Sequence, residues 1–451
     1  MRRCCSTAER RTRRRCVAEI AEAGAILDRH YGHHKRPVVG GGRGGARIGQ
    51  ASNGPEKMER SVREPREAVF ELSAERVAAV RAAAAAVAPR LMTLTEQISA
   101  IPAPTGDEAE RSRAVAELFQ ELGLPVDVDR LGDVVATVAG DGSRPPTILA
   151  AHLDTVFAKE TPLRIHCAGD RLHGPGVGDN SLSVAALLVL PELLDAVGRT
   201  SRGDLLLVAN VGEEGLGNLR GMRAVMDACP TAGAAVAIEG HNLGRLTNIA
   251  VGSRRLRVTA TGPGGHSWGD FGRPSAIHAL SHLITDLDAL PLDRSPKTTL
   301  NVGTICGGVS VNSIAPTASC LIDMRSTDPH ALDRISDRVE RVIKGASRRG
   351  ISVEAEVLGE RPAGVVSLES PIVRVATEIL AALGIDASYD ASSTDANIPI
   401  SRGVPAVCIG LTTGGNVHRE DEYIDLGPIE LGITQLTLLA LALAEGATNS
   451  R

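Results

Sequence analysis

The sequence predicts an α/β protein: a mostly parallel β-sheet covered by helices, interrupted by a smaller inserted α+β domain. Three observations predict it. Between residues 147 and 238, short and continuously apolar runs alternate with helical patterns, as strands buried on both faces of a sheet require. Near Val251 the runs change to alternating charged and apolar residues, the pattern of a half-exposed antiparallel sheet. Near Ile372 the first pattern returns.

Taken in chain order, residues 74–99 are Ala-rich and helical in propensity, with an interruption expected at Pro89. Thr105 and Glu108 have the spacing of a capping box for a helix ending at Gly123. Strands are expected at 147–151, 205–211 and 234–238, with helices at 182–197 and 216–228 between them. Alternation at 255–261, 319–325 and 352–357 marks the strands of the insert, and helices at 275–290 and 330–348 separate them. A helix near Ile372, a strand at 406–410 and an amphipathic helix at 428–444 complete the larger domain. A chain of 451 residues exceeds what one hydrophobic core sustains. The limits that follow are 58–250 with 361–451 for the larger domain and 251–360 for the insert.

Residues 1–57 differ from the rest. They carry 13 Lys/Arg against 5 Asp/Glu, so the overall formal charge of −5 leaves the remainder at −13. With no apolar stretch after the basic start, this segment reads as a disordered basic tail, or as residues upstream of a start at Met58. A body so acidic has no footprint for nucleic acid. No run of 18 or more apolar residues occurs, so no membrane span is expected. Beyond the tail, Cys167, Cys229, Cys306, Cys320 and Cys408 are scattered without a C-x-x-C motif. Neither a disulfide framework nor a thiolate metal site is indicated, and a reducing, cytoplasmic compartment is expected.

The chemistry lies at the strand ends, where open α/β sheets place their sites. The strand at 147–151 leads into His152 and Asp154, that at 205–211 into Glu213 and Glu214, and that at 234–238 into Glu239. The strand at 406–410 leads into a Gly-rich loop ending at His418, and Gly174-Pro175-Gly176-Val177-Gly178-Asp179-Asn180 opens a helix. A lone histidine at a strand end is more often structural, and an acidic pair there more often serves a helix N-terminus. Several such coincidences at one edge call instead for a divalent cation, because clustered carboxylates repel without one. The Gly-x-Gly-x-Gly run also invites a dinucleotide-binding reading. Asp179 would set a carboxylate where the phosphate should sit, and no apolar strand precedes it, so that reading fails.

His152-Leu153-Asp154-Thr155-Val156, Gly176-Val177-Gly178-Asp179-Asn180, Gly212-Glu213-Glu214-Gly215, Glu239, Gly265-His266-Ser267 and Gly415-Asn416-Val417-His418 stand in an order that resembles the zinc exopeptidase family. That family includes glutamate carboxypeptidase, peptidase T, acetylornithine deacetylase and succinyl-diaminopimelate desuccinylase. The resemblance covers roughly residues 75–445. It implies an α/β catalytic domain with an inserted lid domain that also carries a homodimer interface.

Carried over residue by residue, the resemblance implies that His152, Asp179, Glu214, Glu239 and His418 hold two divalent ions, zinc first, with cobalt or manganese as alternatives. Asp179 would bridge them, its bond to Asn180 cis. Asp154 would hold the second nitrogen of His152. Glu213 would be the general base. His266 on the lid would stabilise the oxyanion, reaching the partner subunit's site. Arg325 would anchor a substrate carboxylate, with Asn312 a further candidate. Two departures bear on the substrate, a small peptide or N-acyl amino acid. Ser181-Leu182-Ser183 replaces the Lys-Gly-Gly often found after the bridging Asp-Asn pair. Glu239 stands where aminopeptidase members tend to have Asp, which favours a carboxypeptidase or deacylase over an aminopeptidase of di- and tripeptides. Phe157, Trp268, Phe271 and Tyr423 sit beside motifs and are candidates for a substrate pocket. A relative that only binds small molecules would not need every metal and base position filled.

Overall fold

The computed structural model describes residues 71–198 and 202–446; the basic tail at 1–57 lies outside the described residues. The larger sheet contains β1 (Val126–Val128), β2 (Val134–Val138), β3 (Thr147–His152), β4 (Leu205–Asn210), β5 (Ala234–Glu239) and β6 (Arg245–Ala250). The chain then leaves it for β7 (Gly252–Thr261), β8 (Thr298–Gly307), β9 (Thr317–Ser326) and β10 (Ser352–Arg361). It returns with β11 (Gly364–Val365), β12 (Ser388–Ser392) and β13 (Ala406–Gly410). The order is β1-β2-β4-β3-β5-β13-β6-β11, with β12 paired to β6. The four central strands β4, β3, β5 and β13 are parallel, while β2 and β6 flank them antiparallel.

Both faces of the four central strands are buried, which is why these strands read as unbroken apolar runs. Leu149, Ala151, Val236 and Ile409 point into one core, and Ile148, Ala150, Ala235 and Cys408 point into the other. The first core is closed by α1 (Ala74–Ser99), α2 (Ala109–Glu121), α3 (Leu182–Ala196), and later by α7 (Pro371–Ala382) and α9 (Ile429–Glu445). The second is closed by α4 (Arg220–Ala228), through Met222 and Met226, and α8 (Asn397–Ser401), through Ile398 and Ile400. The stretch Val177–Ala196 has the length and apolarity of a membrane span, yet 83% of that window is buried inside the protein. Its apolarity is that of a core helix.

The insert is an antiparallel sheet of order β8-β9-β7-β10. Helices α5 (Ala276–Asp288) and α6 (Pro329–Ala346) cover one face. Leu256, Val258, Ile322 and Met324 meet Leu280, Leu283, Ile335 and Val339 there, and the alternate residues Arg255, Asp323 and Arg325 take the other face. The edge strand β8 was not expected from the sequence: only Leu300 and Val302 pack against the insert core, and most of the positions after them are exposed.

Two local expectations are corrected. Helix α1 runs through Pro89 without interruption; its stripe of Val80, Ala84, Val87, Leu91, Leu94 and Ile98 is buried in the core, and this packing outweighs one missing backbone bond. The capping box does not form. Thr105 donates its hydroxyl to Asp154 at 2.9 Å, and Glu108 instead accepts from the Gly106 amide at 2.9 Å and from Arg220, so tertiary partners replace the local reciprocal pair.

Candidate metal centre

The parallel register brings the strand ends together. His152 closes β3 level with Asn210 of β4, and Glu239 closes β5 level with Gly410 of β13. Glu213 and Glu214 follow β4, and His418 lies in the loop after β13. Asp179 occupies the turn before α3, and its bond to Asn180 is cis. Asn180 ties this turn to β5, donating from Nδ2 to the Ile238 carbonyl at 2.8 Å.

Asp179 stands between two imidazoles. Its Oδ1 is 3.1 Å from Nε2 of His152, and its Oδ2 is 3.0 Å from Nε2 of His418. Glu239 lies 3.7 Å from Nε2 of His152, and Glu214 lies 2.9 Å from Nε2 of His418. The donor atoms of His152, Asp179 and Glu239 all fall within 4.8 Å of one another, as do those of Asp179, Glu214 and His418. Two groups that could each hold a metal ion therefore share one carboxylate. Imidazole and carboxylate donors suit zinc and its borderline neighbours. Asp179, Glu213, Glu214 and Glu239 also outnumber the two imidazoles among them, a charge balance that cations would correct.

The electrostatics agree with crowding. Burial pushes the Glu213 carboxyl well above the usual carboxylate range, against the pull of Arg361. Burial likewise raises Glu214, opposed by its hydrogen bond from His418. Burial also works on Asp179, but the hydrogen bonds from His152 and His418 outweigh it and hold that carboxyl below its usual range. Hydrogen bonds to Asp179 and Glu214 lift His418 to about 10.

Asp154 departs from its expected contact. Nδ1 of His152 meets the backbone carbonyl of Asp154 at 2.9 Å, whereas the nearest carboxylate oxygen is 3.7 Å away. That carboxylate is occupied elsewhere: it accepts the amides of Glu213 and Glu214, each at 2.9 Å, besides the Thr105 hydroxyl. It thus holds the backbone of the acidic pair.

A cavity of about 300 Å³ opens over the cluster. Arg325 lines it, with Nε 2.7 Å from Asp323, and Arg255 shares the same aspartate at 3.1 Å. His266 and Asn312 do not line it. They sit together on the exposed tip of the insert, where Ser267 donates its amide to the Asn312 carbonyl at 3.0 Å. Nor do the four aromatic candidates line it. Trp268 and Phe271 are exposed, and Tyr423 lies against His173 beneath the guanidinium of Arg171.

Two residues of the site escape sequence reasoning. Arg361, the last residue of β10, donates from Nη1 to Oε1 of Glu213 at 3.0 Å and from Nη2 to the Glu213 carbonyl. Glu422 is fully buried and accepts the amides of Gly176, Gly178 and Asp179. Neither lies at a strand end with a recognisable motif; only their partners, far along the chain, reveal them.

The profile of peptidase family M20/M25/M40 matches residues 148–442. The chain is 26% identical over 343 residues to succinyl-diaminopimelate desuccinylase of Corynebacterium glutamicum, covering 73% of this chain and 90% of that protein. It is 24% identical over 383 residues to carboxypeptidase G2 of a Pseudomonas species, covering 79% and 90% respectively. Among solved structures, a dinuclear metal binding peptidase of the M20 family from Bacillus subtilis superposes with a TM-score of 0.60 at 17% identity, over 80% of this chain and 99% of that one.

Proposed function

The chain belongs to peptidase family M20/M25/M40, a family of hydrolases, and from that premise we propose that it cleaves an amide bond in a small peptide or N-acyl amino acid with two divalent ions, in the manner of a carboxypeptidase or deacylase. The observation that carries this reading is Asp179, which presents one oxygen to each of two ligand sets. His152 and Glu239 would complete one set, and His418 and Glu214 the other. The desuccinylase and the carboxypeptidase among the relatives agree with the direction in which Glu239 points. Zinc is the ion proposed, with cobalt or manganese as substitutes.

Ions held there would supply Lewis acidity towards the scissile carbonyl and make water a stronger acid. Glu213 would take the proton from the attacking water and return it to the leaving nitrogen. Burial, which raises its proton affinity, suits it to that exchange. Arg361 holds one carboxylate oxygen of Glu213 and so orients the other. Arg325, 42% exposed at its side chain and sharing Asp323 with Arg255, would bind a substrate carboxylate from the lid.

A homodimer through the insert belongs to the same reading. Strand β8 is an open sheet edge, and Ile305 on it and Val309 and Val311 just beyond it are exposed. Pairing with a second copy would cover an edge that otherwise invites aggregation. His266 would then serve the partner's site. A cytoplasmic location is supported by Cys320 and Cys408, free thiols buried in the cores. Elemental analysis of protein purified without chelator, with a panel of dipeptides and N-acyl amino acids, tests the proposal. About two ions per chain and hydrolysis that a chelator abolishes are expected; full hydrolysis by metal-free protein would refute it.

A further inference from the structure

The Gly-rich turn at residues 174–180 is built like an anion site, and its anion is already present in the chain. The amide of Gly176 donates to Oε2 of Glu422 at 2.8 Å, while the amides of Gly178 and Asp179 donate to Oε1 at 3.0 and 2.9 Å. Nε2 of His241 lies 2.8 Å from the same Oε1. Four donors converge on a carboxylate with no exposed surface, a set of strong charge-assisted bonds. Gly178 must be glycine here, because a Cβ at this position would collide with the His241 ring. The glycine spacing that resembles a dinucleotide turn therefore serves an internal carboxylate, using the same convergent amides that elsewhere hold phosphate.

The placement of this clamp matters because Asp179 has no regular structure to hold it. Its φ of −112° and ψ of 83° are not helical, yet its two oxygens must meet two histidines, one at the end of β3 and one in the loop after β13. Glu422 lies four residues after His418, so a single short loop delivers both a ligand and the clamp on the shared ligand.

Resting on the two-ion reading above, we infer that Glu422 is the positioning residue of the centre: it aligns Asp179 with His418 so that both ions bind. Its carboxylate is fully buried and taken up by these donors, so it lies outside the proposed ligand set. Groups that orient ligands from behind typically change metal affinity about 10- to 100-fold when removed. Glu422→Gln keeps the size but loses the charge, and it turns an NH₂ group towards donors that need an acceptor.

The test is titration of chelator-treated full chain with Co²⁺ alone, followed by calorimetry and the visible Co²⁺ spectrum. Wild type is expected to bind two ions. Glu422→Gln is expected to weaken at least one of them by about 10-fold or more and to alter the spectrum, with the far-ultraviolet circular dichroism retained. His241→Gln, which removes one of the four donors but leaves the charge and all three turn amides in place, is expected to lose less affinity than Glu422→Gln. Should Glu422→Gln fail to fold, Glu422→Asp, which retracts the charge by one methylene, makes the same measurement with the same expected loss. Wild-type affinity in the folded Glu422 variant overturns the inference while leaving the two-ion reading intact. An equal loss in His241→Gln also overturns it, since the effect would not then come from the turn amides. Failure of wild type to bind two ions removes the reading itself.

Discussion

At the residue scale, adjacent carboxylates have separate partners. Both line the cavity, but Glu214 lies beside His418, whereas Glu213 is held by Arg361. Glu213→Gln is expected to cut kcat by about 10²–10⁴ with bound metal unchanged, because an amide cannot accept the proton. Glu214→Gln is expected to lower metal occupancy together with rate. Measuring kcat and bound metal on both variants side by side checks this; metal lost from the first and kept by the second would exchange their roles. Asp133 offers a stability test. Burial raises its carboxyl to about 8 from an ordinary 3.8, and one of its oxygens has no partner. The folded state therefore keeps a proton that the unfolded chain releases, so this group's contribution to stability falls as pH rises from about 4 to about 8. Asp133→Asn should flatten the decline of Tm between about pH 4 and pH 8. Equal slopes in variant and wild type would contradict the assignment.

At the element scale, the site depends on how closely helices approach the strand ends. Helix α9 comes so near the exit of β13 that a Cβ on Gly432 would collide with the Leu411 carbonyl. That exit leads to the loop of His418 and Glu422. Gly432→Ala is expected to cost about 1–3 kcal/mol of stability, as overpacking does, and to lower Tm and metal affinity together because the loop must shift. A thermal melt with a Co²⁺ titration measures both, and an unchanged Tm would show that the helix moves aside freely. The continuous apolar runs of the central strands, the alternation within the insert and the helical propensity of α1 were legible in the residues. The continuity of α1 through Pro89 was not, because it rests on packing against distant parts of the chain.

At the scale of the whole molecule, the question is whether one chain contains a complete site. His266 and Asn312 lie outside the cavity, while Arg325 reaches it from the same insert. If a second copy supplies His266, two inactive variants can repair each other. Glu213→Gln and His266→Ala, each purified and then mixed under conditions that exchange subunits, are expected to regain hydrolysis, since one mixed site keeps both wild-type residues. Activity that stays at the sum of the separate variants would place His266 outside the reaction of a partner. Ile305→Lys on the open edge β8 should shift the molecule towards monomer in sedimentation, as charges on edge strands do.

Sequence alone determined the features that depend on neighbours a few residues away. Strand exits carrying His152, Glu213, Glu214 and Glu239 could be read because a parallel sheet collects its carboxyl ends on one edge, and the apolar runs identified the strands. The tertiary structure decided what depends on distant partners. Arg361 meets Glu213 across 148 residues, and Glu422 meets Gly176 across 246. Neither pairing leaves a local pattern, because an arginine before a proline or a glutamate in an acidic loop looks the same whether it is solvated or buried against a ligand. Burial is a property of the assembled chain, and it is burial that turns those two side chains into parts of the site.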